Sequence, residues 1–93
     1  MRMHLDTDLG GDIDDLCALA LLLRWPGAEP VEVTGITIVG ETDGQRTGMT
    51  RQALAIAGRP DIPVAAGAST ADGWYPYPLG LPEASRYWPQ PVV

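Results

Sequence analysis

Five aspartates fall within ten residues, in the run Asp6-Thr-Asp8-Leu-Gly10-Gly-Asp12-Ile-Asp14-Asp15. Carboxylates held this close repel one another strongly at low dielectric, so a fold keeps them together when a cation or hydrogen-bond donors stand between them. All-oxygen ligands of this kind select a hard ion, calcium or magnesium, over zinc.

Three chemistries compete for such a run. Aspartates ahead of a helix can cap free amides and meet the positive end of the dipole, at about 0.3 to 1 kcal/mol each, but that use accounts for one or two acids and not five. A calcium loop of the EF-hand type fits Asp6, Asp8, Gly10, Gly11, Asp12 and Asp14, then fails where the bidentate glutamate belongs, at Cys17, and too few residues precede it for an entering helix. A phosphatase of the haloacid dehalogenase type would use Asp6 and Asp8 as nucleophile and acid/base. Its motif, however, leaves the later acids without a task.

Positioning these acids is the work of a few regular elements. Met3 to Leu5 reads as a brief strand that delivers Asp6 and Asp8 at its carboxyl end. Gly10 and Gly11 allow the chain to turn, and Asp12 or Asp14 can cap a helix from about Asp14 to Trp25, stopped by Pro26-Gly27. That helix is apolar on all sides, which predicts burial on most of them, with Cys17 a buried thiol. Val31 to Val39 is rich in β-branched residues and reads as a second strand. A second helix is expected over Gln45 to Ala57, with Thr42 and Gln45 at capping-box spacing and Gly58 just past its end. Ile62 to Ala66 makes a third, short strand.

This order of elements, with continuous apolar strands, predicts an α/β fold: a Rossmann-like parallel sheet with right-handed crossovers and helices on both faces. Ligands of such sheets sit outside the carboxyl ends of the strands. Three segments share that edge, namely Asp6 to Asp15, Gly40 to Gly44 and the stretch after Ala66. From Gly67 the texture changes, and Trp74, Tyr75, Tyr77, Tyr87 and Trp88 alternate with prolines in a tail with no readable regular element.

A chain of 93 residues makes at most one small domain that buries about 60 to 65% of its unfolded surface. Hydrophobic content of 45% and charged content of 19% are those of a chain that folds. The net charge of -6, with six arginines scattered singly, argues against nucleic-acid binding. One cysteine forbids an internal disulfide and leaves no sign of an oxidising compartment. Charge comes too early for a signal peptide and no apolar stretch of membrane length occurs, so a cytoplasmic protein without a membrane partner is expected.

The run Asp6-Thr-Asp8-Leu-Gly10-Gly-Asp12-Ile-Asp14-Asp15-Leu-Cys-Ala-Leu resembles the amino-terminal signature of the inosine-uridine preferring nucleoside hydrolases, in a variant with two extra residues before the final acidic pair. Val33-Thr-Gly-Ile-Thr-Ile-Val-Gly40 looks like that family's second strand and loop, Thr50-Arg-Gln-Ala-Leu like its second helix, and Arg59-Pro-Asp-Ile-Pro-Val-Ala-Ala-Gly-Ala68 like its third strand. The resemblance covers 3–68 and implies the β-α-β-α-β beginning of a nucleoside hydrolase fold, so 1–93 is expected to be a single partial domain with 69–93 as an irregular tail.

Members of that family use a bound calcium ion to hydrolyse ribonucleosides to free base and ribose, a reaction of purine and pyrimidine salvage. The resemblance implies that Asp8 contacts calcium and acts as general base, that Asp15 is a bidentate calcium ligand, and that Asp6 supports the metal loop from behind. Asp14 would hydrogen-bond a ribose hydroxyl, although the insertion lets Asp12 share that role. Glu41 stands where many members have a ribose-binding asparagine, so it either adds to sugar recognition or points to solvent. His4, the lone histidine, is expected to be packed. Asp72 to Tyr77 would belong to a loop over the pocket.

The family's domain is several times longer than this chain, and its other metal ligands and leaving-group residues lie beyond position 93. The chain alone is therefore expected to be weakly active or inactive, and the full-length form a homo-oligomer. The alternatives are the phosphatase using Asp6 and Asp8, or a module that binds calcium or ribose without turnover.

Overall fold

The computed structural model describes residues 1–10, 13–41 and 43–68. Asp12, Thr42 and the tail from 69 to 93 lie outside those residues, and with them the ribose role of Asp12, the Thr42 cap, the pocket loop at Asp72 to Tyr77 and the reading of the tail as irregular.

The order is β1 (Arg2–Thr7), α1 (Ile13–Leu23), β2 (Glu32–Ile38), α2 (Gln45–Ile56) and β3 (Val64–Ala66). All pairings are parallel, in the spatial order β1-β2-β3. The expected elements are present with shifted ends: β1 runs to Thr7, two residues past its apolar stretch, because its backbone follows β2 as far as Ile38. The ladder carries on beyond the strands through Val39 N–H to Thr7 C=O (2.9 Å) and Gly67 N–H to Ile38 C=O (2.8 Å). The strand ends therefore form one edge, from which the loops after Thr7, Ile38 and Ala66 all depart.

Alternation along the strands divides the sheet into two unlike faces. Leu5 and Thr7 pair with Ile36 and Ile38, which in turn pair with Val64 and Ala66. These side chains meet Leu19 of α1 and Leu54 of α2 in one core that also takes in Leu9, Val33 and Ile62. His4, Asp6, Gly35, Thr37 and Ala65 occupy the opposite face. Both helices stand on the first face, which corrects the expectation of helices on both. The physical reason is the strand order: two right-handed crossovers stepping the same way, β1 to β2 to β3, put their helices on the same side.

One-sided cover also explains two residue-level departures. Along α1 only Leu19 is fully buried, and Leu16, Leu21 and Cys17 are exposed, because α1 has a sheet beneath it and, among the described residues, nothing above it. Likewise His4 is exposed and not packed; its Nε2 lies 2.9 Å from the Thr37 hydroxyl on the uncovered face.

The end of α2 is set by Gly58, whose φ of +74° is the left-handed conformation that a side chain would disfavour. Its N–H bonds to Ala55 C=O and that of Arg59 to Leu54 C=O, a Schellman closure that turns the chain toward β3. No helix among the described residues is long and apolar enough to cross a membrane.

Because Leu54 is buried between α2 and the sheet, Leu54→Ala is expected to cost about 2 to 5 kcal/mol of unfolding free energy in urea titrations. Ile56, on the same helix but 89% exposed, serves as the comparison, and Ile56→Ala should stay within about 0.5 kcal/mol of the parent.

Candidate functional site

At the carboxyl edge of the sheet, β1 hands over to the acidic loop. Thr7 is the last residue of β1 and points into the core. Its hydroxyl donates to Asp15 Oδ2 (2.7 Å) and accepts from the Leu9 N–H (3.1 Å). The Asp8 N–H also reaches Asp15 Oδ2, at 3.2 Å. Asp15 sits in the first turn of α1, where a carboxylate meets the positive end of the helix dipole. A strand end and a helix start are thereby joined through one carboxylate.

Asp8 and Asp15 face each other. Donating to the Asp15 carboxylate favours the protonated form of Asp8 and raises its carboxyl above the ordinary value, with partial burial and the neighbouring negative charge acting in the same direction. The same hydrogen bond, followed by that from Thr7, lowers Asp15 below its ordinary value. A proton on the pair therefore goes to Asp8 in preference to Asp15.

The other expected site residues are placed differently. Asp6 takes a hydrogen bond from Thr37 Oγ1 (2.7 Å) on the uncovered face of the sheet and does not join the pair. Asp14 is exposed on the first turn of α1, open to the solvent beside Asp15. Among the described residues no three His, Cys, Asp or Glu side chains converge as a complete metal site would require.

Glu41 points neither at solvent nor into an open pocket. It is 0% exposed, and its Oε1 accepts from the Arg46 N–H (3.0 Å) while its Oε2 accepts from the Thr47 N–H (2.8 Å) and the Thr47 hydroxyl. Gly44, the residue at the cap of α2, has no side chain to offer. Glu41 reaches back over the turn and satisfies the first amides of the helix in its place. The carboxylate is thus committed to holding α2.

Arg46 was not marked out by the sequence, where it is one of six isolated arginines. It is 2% exposed, and its guanidinium bonds the Gly40 carbonyl through Nε (2.9 Å) and the Asp8 and Leu9 carbonyls through Nη1. One side chain therefore spans the loop after β1 and the loop after β2. Gly10, with φ of +118°, makes room for this: a Cβ there would stand 3.1 Å from Met49 Sδ and 3.5 Å from Arg46 Cγ. The signal that could have found Arg46 is its spacing, because a cation in the first turn of a helix opposes the dipole and needs a reason to be there.

The fold and the edge geometry define a parallel α/β unit that presents a pair of interacting carboxylates beyond its first strand. Over 67 residues the chain is 42% identical to an uncharacterized protein in the ribF 3' region of Corynebacterium ammoniagenes, a match spanning 72% of this chain and 70% of that protein. The chain belongs to the same family as that protein. No protein-family model and no solved structure matches it.

Two outcomes follow from this geometry. Glu41→Ala strands three donors at the start of α2 and is expected to cost about 2 to 4 kcal/mol in urea titrations, with Glu41→Gln losing less because one oxygen acceptor remains. For the acid pair, a raised Asp8 contributes stability that is present below the ordinary carboxylate value of 3.8 and lost as pH rises through its folded value. Asp15, being lowered, contributes stability that is present above 3.8 and lost as pH falls through its folded value. In cation-free buffer the Asp8 contribution should therefore raise the melting temperature as pH falls through the raised Asp8 value toward 3.8, and Asp8→Asn should remove that contribution.

Proposed function

We propose that this chain carries the cation-binding and sugar-facing part of a nucleoside hydrolase, which cleaves the N-glycosidic bond of ribonucleosides to free base and ribose with the help of calcium. The observation that carries the reading is the joining of Asp8 to Asp15, whose Oδ2 accepts from the Asp8 N–H (3.2 Å), at the carboxyl edge of a parallel sheet, where ligands of such sheets bind. The donor set suits a hard ion in part: two carboxylates offer oxygen ligands, and calcium takes six to eight oxygens in a flexible arrangement. Asp8 and Asp15 would hold it.

Calcium, when bound, supplies positive charge that relieves the repulsion between the two acids and makes a neighbouring water more acidic. The task of Asp8 is to accept a proton. Its unshared carboxylate oxygen takes the proton of the water that adds to C1′, as the bond from C1′ to the base nitrogen breaks and its electron pair leaves with the base. The transition state resembles an oxocarbenium ion, so negative charge on the sugar side stabilises it. Thr7 and the Asp8 N–H orient Asp15, and Asp15 in turn orients Asp8. Asp14, exposed beside the pair, is suited to accept a hydrogen bond from a ribose hydroxyl, a role Asp12 can share.

The phosphatase alternative needs Asp6 and Asp8 to act on the same phosphorus atom. Asp6 is bonded to Thr37 on the uncovered sheet face while Asp8 turns toward α1, which favours the nucleosidase reading over it.

Calcium titration of the chain, followed by calorimetry, should show binding that Asp8→Asn and Asp15→Asn each weaken at least tenfold, about 1.4 kcal/mol. Ribose release from inosine or uridine, measured as reducing sugar with the chain extended to family length, should require calcium and fall about 100-fold or more in Asp8→Asn. Calcium affinity unchanged by both substitutions would contradict the proposal.

A further inference from the structure

We infer that Arg46 is the positioning residue of the acidic loop: its guanidinium, bonded to the carbonyls of Asp8, Leu9 and Gly40, holds Asp8 where it meets Asp15. The inference rests on the proposed cation role of that pair but concerns the loop's own geometry, which exists without an ion.

The chain leaves β1 at Thr7 and must reverse toward α1 within a few residues. Backbone carbonyls in such a turn have no ladder partner, and buried ones need a donor. Arginine meets the need with donors in a fixed planar fork, so bonds to three carbonyls define both the position and the tilt of the loop. The anchor is set by the helix, because Arg46 lies in the first turn of α2 and its N–H is held by Glu41. Leu9, whose carbonyl is one of the three, is buried in the core cluster, and Gly10 permits the close approach. Asp8 is thus gripped through its backbone, from behind, while its side chain stays exposed at the edge. Lysine carries the same charge but has one nitrogen on a flexible stem, and it cannot bond all three carbonyls in this plane.

The test compares Arg46→Lys with Thr50→Val, which removes the Thr50 hydroxyl's bond to the Arg46 backbone carbonyl within α2 but leaves the Arg46 guanidinium and its loop carbonyls in place. Amide hydrogen exchange is followed by NMR on the whole chain without metal. In Arg46→Lys the Asp8 and Leu9 amides should lose protection at least tenfold relative to the amides of β2 and α2, whereas Thr50→Val should change all of them in proportion to its stability. Terbium or calcium affinity should fall about tenfold or more in Arg46→Lys and stay within about twofold in Thr50→Val. Unchanged relative protection at Asp8 and Leu9 in Arg46→Lys would overturn the inference. If the parent chain binds no calcium or terbium, the nucleosidase reading falls, and the exchange experiment still decides the role of Arg46.

Discussion

Two charged side chains, Glu41 and Arg46, are buried in the turn that starts α2, and the architecture around the site follows from satisfying them. Neither could be left without partners at such depth, since an unmet buried charge costs more than most single interactions contribute. Glu41 meets its need from the helix it caps, accepting from Arg46, Thr47 and the Thr47 hydroxyl. Arg46 meets part of its need from the carbonyls of two other loops. Helix, second-strand loop and acidic loop are therefore one hydrogen-bonded body.

On that body rests a smaller conflict, the close approach of Asp8 and Asp15. The structure softens it with donors, Thr7 Oγ1 and the Asp8 N–H, and the pair takes up a proton on Asp8 more readily than a lone carboxyl would. A divalent ion would do the same more strongly, and it is this interchangeability of proton and cation that the functional proposal exploits. The arrangement stands at the carboxyl edge only because all three strands run parallel, so the packing of Leu19, Ile36, Ile38 and Leu54 is what carries the acids to a common rim.

Much of this was legible in the residues. The β-branched run at Val33 to Ile38, the apolar run after Asp15, and Gly58 past the second helix each announced an element that is present, and the parallel order of strands placed the loops correctly. What escaped was non-local. Helices on both faces were expected because continuous apolar strands are usually covered twice; the strand order, which a single sequence does not reveal, puts both on one face. Asp6 was grouped with Asp8 by spacing, yet residues two apart on a strand share a face only until the strand ends, and there the chain turns. Glu41 was weighed as a sugar contact or a solvated acid because a missing side chain at Gly44 and a buried arginine after it had to be known together before its capping role could emerge.

The central claim is that Asp8 and Asp15 grip a single hard cation at the edge of the sheet. Its most direct test is diffraction from crystals of the protein grown with terbium or manganese, collected where the metal scatters anomalously. The account predicts one strong anomalous peak within bonding distance of carboxylate oxygens of both Asp8 and Asp15. A peak elsewhere, or the two acids turned away from each other with no metal between them, would contradict it.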